Sequence, residues 1–483
     1  MRKAGPNQRS RLRSTLPKTA SPKHGRRWTA PIVWLLILLG IVALGGGSAR
    51  ADVNSLLFLR PLSILAAGVA IATFPISQAR DYRVWLFLLA AAVALLLVHL
   101  LPLPPAIWQA LPGRGLLTEI DQTAGVGRLW RPFSFDPIMT RNAVWAMAVP
   151  CAALLLAAQL DGEANNRLLI AILAIGLISG LLGVMQFASG ASSPIYLYNV
   201  TNNGSAVGLL ANRNHQGVFL ASLFPILGAY ALLGRSDGRD RNVRVGGALA
   251  VAAMFVPMIL ATSSRAGLAL AVVGLAGAIA LAWPHLRKPP TAPSGATRSK
   301  FWLFAVAGGI FIALCLALVG LTQGNAFNRL VQGDGDNPEL RWQMWSTTVD
   351  AAQVFLPLGS GLGSFVRVFQ IFETEASLSP QYVNHAHNDY VELLLDGGIP
   401  AIVIVILALA VIGRDGWRVW TAKDPSRRIL LGRAAFIGLL IFAIGSGFDY
   451  PLRTPLLAAV ACVYAVWLRR GSLAARRTVS LKA

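Results

Sequence analysis

Apolar stretches long enough to cross a bilayer recur from about residue 31 to about residue 468, separated by mostly short polar intervals. About twelve helices are predicted, over roughly 31 to 49, 56 to 77, 84 to 102, 142 to 159, 168 to 189, 216 to 233, 247 to 263, 266 to 284, 302 to 322, 392 to 412, 430 to 447 and 452 to 468. These stretches are long and continuous, whereas strands of a membrane barrel would be short and alternating. The expected fold class is all-α, a polytopic transmembrane helical protein. Leu101-Pro102-Leu103-Pro104-Pro105 should end the third helix, because proline cannot continue the hydrogen-bond ladder. Gly397, Gly398 and Pro400 should break or kink the tenth. The longest polar interval, 323 to 391, carries a helical pattern over 338 to 355 and a second from near Asn388. A flexible turn, Gly359 to Gly363, lies between them. A short surface helix leading into a spanning one is the simplest geometry.

Composition agrees: 55% hydrophobic and 13% charged residues exclude a soluble globular domain of 483 residues. The net charge of +22 would suit a nucleic-acid partner, but its placement argues against one. Nine basic residues and no acid occupy positions 1 to 27; the C-terminal tail and the loops at 235 to 244, 287 to 300 and 414 to 428 are also rich in Lys and Arg. Placing all of these in the cytoplasm satisfies the alternation of twelve spans, as the positive-inside rule requires. The segments around 103 to 141, 190 to 215 and 323 to 391 then face outward. The chain divides into a disordered basic cytoplasmic tail (1–27), helices one to nine (28–322), an outward loop (323–391), helices ten to twelve (392–468) and a second basic cytoplasmic tail (469–483). The first apolar run reads as an uncleaved signal anchor, although Ala49-Arg50-Ala51 resembles a cleavage site. Trp108, Trp130 and Phe133 to Pro137 form an aromatic stretch suited to the headgroup level. Cys151, Cys315 and Cys462 fall in apolar runs and read as buried hydrophobes.

Candidate chemistry gathers on the outward side: Arg213-Asn214-His215, Arg265 in a turn between adjacent spans, and His385-Ala386-His387-Asn388-Asp389-Tyr390, with Arg341 in the long interval. Taken singly, Arg265 is a snorkelling arginine, Arg213 a helix-end anchor, and His385 and His387 ordinary loop histidines. Together, on the side where the charge rule leaves few arginines, they suit a polyanionic lipid headgroup, because guanidinium stays charged and forks onto phosphate oxygens. Asn388 has the default role of a helix cap and the alternative of orienting a substrate. His385, His387 and Asp389 have metal-ligand chemistry but lack a third partner fixed by spacing. Asp334-Gly335-Asp336 reads as a capping turn, since Glu339 stands where a calcium loop needs glycine. No metal site is assigned.

These residues resemble the O-antigen ligase and polymerase family of bacterial membrane enzymes. The family pattern of His, then Asn, Ser or Gln, then nine residues and Gly is met by His387, Asn388 and Gly398; Ala401 departs from the Gly, Thr or Tyr expected three residues on. Also similar are Asn212 to His215, Ser264-Arg265, the Arg341 to Trp345 helix, and Pro357 to Gly363. The resemblance implies a fold of the lipid-dependent glycosyltransferase kind in the bacterial inner membrane, with a periplasmic site. It implies metal-independent, inverting transfer of a glycan from undecaprenyl diphosphate, without a cofactor. Arg213 and Arg265 would bind the diphosphate and His387 would activate the acceptor hydroxyl; Arg341, Asn388, His385 and His215 are secondary candidates. The expected reaction is O-antigen ligation to lipid A core in lipopolysaccharide synthesis. The alternatives are a polymerase joining lipid-linked repeats of O-antigen or exopolysaccharide, and a non-enzymatic transporter or flippase of the same lipid-linked glycan.

Overall fold

The structure, a computed structural model, describes residues 30–126, 129–233, 238–286, 338–375, 378, 382–423 and 426–480. The basic N-terminal tail, the 287 to 300 linker, the 302 to 322 run, Cys315, Asp334 and Asp336 lie outside these residues. Among the described residues, ten helices are long and apolar enough to cross a membrane, and Ala30–Gly45 is a shorter apolar helix. The protein is an all-α polytopic membrane protein. In chain order the helices are α1 (Ala30–Gly45), α2 (Leu56–Thr73), α3 (Ile76–His99), α4 (Pro105–Trp108), α5 (Gly115–Thr123), α6 (Pro137–Ala146), α7 (Ala148–Ala158), α8 (Gly162–Ser189), α9 (Arg213–Leu232), α10 (Gly238–Ala261) and α11 (Arg265–Leu286). They continue with α12 (Pro338–Phe355), α13 (Phe365–Phe372), α14 (Asp389–Thr421), α15 (Arg427–Gly445) and α16 (Pro455–Ser480). Helices α6 and α7 together make one span.

Helices α9, α15 and α16 form the centre of the bundle: 78%, 72% and 72% of their spanning windows are buried, against 28% and 22% for α2 and α3 at the rim. Lipid tails are as apolar as leucine, so helix association here depends on close backbone approach and on polar contacts rather than on hydrophobic burial alone. The seam between α9 and α11 shows the first. A Cβ built on Gly217 would stand 2.8 Å from the Cα of Gly267, and one built on Gly267 would stand 2.8 Å from the Cα of Gly217.

The stretch between α3 and α6 is a folded cap. Trp108 is 1% exposed and donates through Nε1 to the Leu129 carbonyl at 3.0 Å, and Phe133 is buried; Trp130 stays at the surface. Strands β1 (Pro102–Leu103) and β2 (Arg131–Pro132) pair antiparallel, with Pro102 opposite Pro132. The Arg114 guanidinium lies over the Phe135 and Phe133 rings, 4.1 and 5.3 Å from their centroids, and donates to the Phe133 carbonyl. Burial pushes it down to about 10. Aromatic faces and a carbonyl supply what a carboxylate would supply elsewhere, which draws these rings inward.

The cap clamps the glycine turn that follows α12. Phe135 N donates to the Ser360 carbonyl at 3.0 Å and Thr140 Oγ1 to the Leu362 carbonyl at 2.7 Å. That turn in turn fixes the break in α14, where Gly398 has φ +58° and ψ −155°. Backbone groups freed by the break are satisfied across it: Ile399 N donates to the Pro357 carbonyl, Ser360 N to the Leu395 carbonyl and Gly361 N to the Asp396 carbonyl, at 2.8–2.9 Å. A Cβ on Gly398 would approach the Pro357 oxygen to 2.3 Å. The expected kink is present, with glycine required both for its φ and for this contact. Helices α12 and α13 cover the first part of α14 through a small core of Ala351, Phe355, Phe365, Phe369, Ala386 and Leu395.

In a background lacking the native cysteines, one introduced at Ser192, between α8 and α9, and one at Lys423, between α14 and α15, should lie on opposite sides of the membrane. An impermeant maleimide added to whole cells should modify only one of them. Gly217→Val should force α9 and α11 apart and cost roughly 1–3 kcal/mol, read as a lowered thermal midpoint in detergent.

Candidate functional site

The nine residues from Ser446 to Thr454 join α15 to α16 and include a 3₁₀ turn, Pro451–Arg453. Asp449 in this joint is 1% exposed. Its Oδ2 accepts from Asn214 Nδ2 at 2.9 Å and Asn212 Nδ2 at 3.2 Å, both at the start of α9. Its Oδ1 accepts from His387 Nδ1 at 3.1 Å, ahead of α14, and from Tyr450 N at 3.0 Å. His215 Nε2 stands 3.7 Å from Oδ1, an ion-pair distance rather than a hydrogen bond. Asn214 Oδ1 accepts from Ser264 Oγ at 2.8 Å, and that hydroxyl accepts from Gly267 N at 3.0 Å, which ties in the α10–α11 turn. One carboxylate thus joins the ends of α9, α14 and α15 directly and the start of α11 through Asn214.

Burial acts to raise the Asp449 carboxyl, but the His215 and His387 imidazoles set against it outweigh that and hold it well below the usual carboxylate range. An ionised carboxylate only accepts, so His387 Nδ1 carries the proton of this hydrogen bond, and in the neutral ring the lone pair then falls on Nε2. The His387 side chain is 27% exposed above a carboxylate that is 2% exposed. His387 also has φ +50°, the left-handed region. For a residue with a Cβ this costs on the order of 1 kcal/mol or more, and here the surrounding hydrogen bonds impose it.

A second network lies beside the first. Glu392 is 1% exposed; its Oε1 meets His385 Nδ1 at 2.9 Å and Arg453 Nη1 at 2.7 Å, and its Oε2 accepts from Ala386 N at 2.8 Å. Arg453 Nε also donates to Asp389 Oδ1 at 2.7 Å. Burial would lower the Arg453 guanidinium; Glu392 and Asp389 reverse this and raise it above its ordinary range. Between the networks, the Tyr450 ring packs against His385, His215 and His387, with centroids 4.1, 4.9 and 5.2 Å apart. Burial, reinforced by the charge on Asp449, pushes its hydroxyl above the usual phenol range.

Of the residues singled out from sequence, His387 and His215 share Asp449, while His385 is bound to a different carboxylate, Glu392. Asn388 caps α14, its Oδ1 accepting from Tyr390 N at 3.1 Å and Val391 N at 3.3 Å. Arg213 and Arg265 are the first residues of α9 and α11, each adjacent in sequence to a member of the Asp449 network. Arg213 is half-buried and Arg265 exposed. Arg341 is half-buried on α12, one turn before Trp345, whose Nε1 donates to the Ala386 carbonyl at 2.8 Å. Asp449, Tyr450, Glu392 and Arg453 were given no role from sequence. Their signal was there: Asp449 and Arg453 interrupt the last two apolar runs at the end where His387 lies.

The model of a family described as O-antigen ligase matches residues 248–406. The matched stretch holds Arg265, Arg341, His385, His387 and Asn388, and leaves Arg213, His215 and Asp449 outside. No curated protein matches the chain.

Asp449→Ala should leave His387, Asn212 and Asn214 without their common acceptor. A loss of about 3–5 kcal/mol is expected, the usual cost of breaking a buried pair by removing one partner. Thermal unfolding of the purified protein reads it directly; an unchanged midpoint contradicts the assigned network.

Proposed function

From the premise that residues 248–406 are a domain of the O-antigen ligase family, we propose that the chain transfers a glycan from undecaprenyl diphosphate to an acceptor hydroxyl on lipid A core, at the periplasmic face of the bacterial inner membrane. The observation that carries this reading is the buried Asp449 carboxylate holding His387 by Nδ1, with Asn214 in the first turn of α9 and Ser264, the residue before α11, tied into the same hydrogen-bond network beside Arg213 and Arg265 in sequence.

The chemistry follows from these groups. His387 Nε2 removes the acceptor's hydroxyl proton as that oxygen attacks the anomeric carbon. The bond from this carbon to the diphosphate oxygen breaks on the opposite face, so configuration inverts. The leaving diphosphate gains negative charge, which Arg213 and Arg265 stabilise at the helix starts without need of a divalent ion. Asp449 fixes the tautomer of His387 and stabilises the imidazolium that forms. Because its carboxyl lies well below the usual range, Asp449 keeps its charge wherever the imidazole is neutral enough to act as a base. Asn388 serves the reaction only by capping α14, and His385 by seating Glu392 and Arg453 behind the His387 loop.

His387→Ala and Arg265→Ala should each abolish glycan transfer from purified lipid-linked donor while leaving protein level and membrane insertion intact. Asp449→Asn should lower turnover by about 100-fold or more. Full activity of His387→Ala removes the base assignment, and loss of wild-type activity in EDTA removes the metal-free mechanism. In cells lacking the protein, accumulation of full-length polymer on the lipid carrier indicates a ligase; accumulation of single repeats indicates a polymerase instead.

A further inference from the structure

At the end of the bundle opposite Asp449, a cavity of about 590 Å³ opens among the first turns of α3, the α7–α8 turn, the end of α9, the first turn of α15 and the last turns of α16. Helix α15 separates the two sites: its 19 residues, at 1.5 Å each, span about 28 Å. No step of the proposed transfer uses this cavity.

Its lining is built for an anion. Arg427 and Arg428 from α15 and Arg470 and Arg477 from α16 converge on it. Two of these guanidinium groups are held in place by uncharged oxygens. Arg427 donates to the Leu233 carbonyl at 2.9 Å; Arg470 donates to the Ala158 carbonyl at 2.7 Å and to the Tyr82 hydroxyl at 2.8 Å. Among the described residues, neither makes a salt bridge. Arg428 and Arg477 make no salt bridge among the described residues. Of the acids in the lining, Glu163 is paired with Arg167 at 2.7 Å and Asp161 caps α8 through Ala164 N at 2.7 Å. The starts of α8 and α15 face the same space and add first-turn amide dipoles of the same sign.

One wall has the opposite character. Among the described residues, Gln78 Oε1 is buried without a hydrogen-bond partner, and Asp81 lies one turn further along α3. An orphaned acceptor is satisfied by a donor. The cavity therefore asks for a phosphate at one side and a hydroxyl or ammonium group at the other. It sits at the ends of spanning helices, where the headgroups of one leaflet lie, and Leu160, Leu431 and Leu473 line it as well.

We propose that this cavity binds the headgroup of a bilayer phospholipid, its phosphodiester on the four arginines and its donor-bearing end on Gln78 and Asp81. A free phosphate ester shares the first half of that chemistry, and the two sources separate in one experiment. Native mass spectrometry of the purified full-length protein, exchanged into phosphatidylethanolamine, should show one retained phospholipid. The double variant Arg428→Gln with Arg477→Gln, neither residue touching the Asp449 network, should lower its occupancy about tenfold, equivalent to about 1.4 kcal/mol of binding. Millimolar inorganic phosphate should not displace it. Equal occupancy in the variant overturns the site, and displacement by inorganic phosphate overturns the lipid assignment. Should the variant not fold, delipidated wild-type protein decides. Its thermal midpoint should rise with phosphatidylethanolamine more than with phosphatidylcholine, which carries the phosphodiester but no donor; an equal rise, or none, refutes the proposal.

Discussion

A carboxylate with almost no contact with water has to be solvated by the protein itself, and Asp449 is solvated by donors drawn from positions 212, 214 and 387. In a lipid environment this requirement is stringent, since apolar faces of spanning helices have little preference among partners and the bilayer offers an anion nothing. The ends of α9, α14 and α15 are held to one register by that charge. Asparagine side chains do most of the work because each amide donates to the carboxylate while its oxygen accepts elsewhere, that of Asn214 from Ser264 and that of Asn212 from Asn214 N. The setting of His387 and the registry of the helices therefore rest on the same atoms.

A second constraint operates through backbone alone. The residues ahead of α12 aside, the loops that precede His387 are connected mechanically: the cap before α6 holds the glycine turn, the turn holds the break at Gly398, and the break sets the direction of the short first arm of α14. Arg453 then ties that arm to the α15–α16 joint through Asp389 and Glu392. His387 is thus gripped from both sides, which accounts for its tolerating a left-handed backbone.

How much of this was readable from residues alone follows from range. Helix periodicity and proline or glycine punctuation are local, so ten spans among the described residues, the helix at 338 to 355, the Asn388 cap and the kink near Gly398 could all be anticipated. Counting spans and charges puts Arg213, Arg265 and His387 on one side, and their sequence neighbours Asn214 and Ser264 do share a network with His387 at one end of the bundle. Pairings across hundreds of residues left no such trace. Nothing local distinguishes His385, which binds Glu392, from His387, which binds Asp449, because two histidines two residues apart look alike until their partners are known. The packing of the aromatic stretch left no trace for a related reason: Trp108 and Phe133 look interfacial by type, and only the arginine at 114 and the carbonyl at 129 show what they pack against.

The glycine-to-glycine contact between α9 and α11 has a further meaning. Where two backbones touch at Gly217 and Gly267, the wall beneath the Asp449 network is sealed on that flank, with no gap wide enough for a hydrocarbon chain. A lipid chain cannot pass between α9 and α11 at that point, so on the function proposed above the donor's tail lies along another groove of the bundle, away from this closed seam.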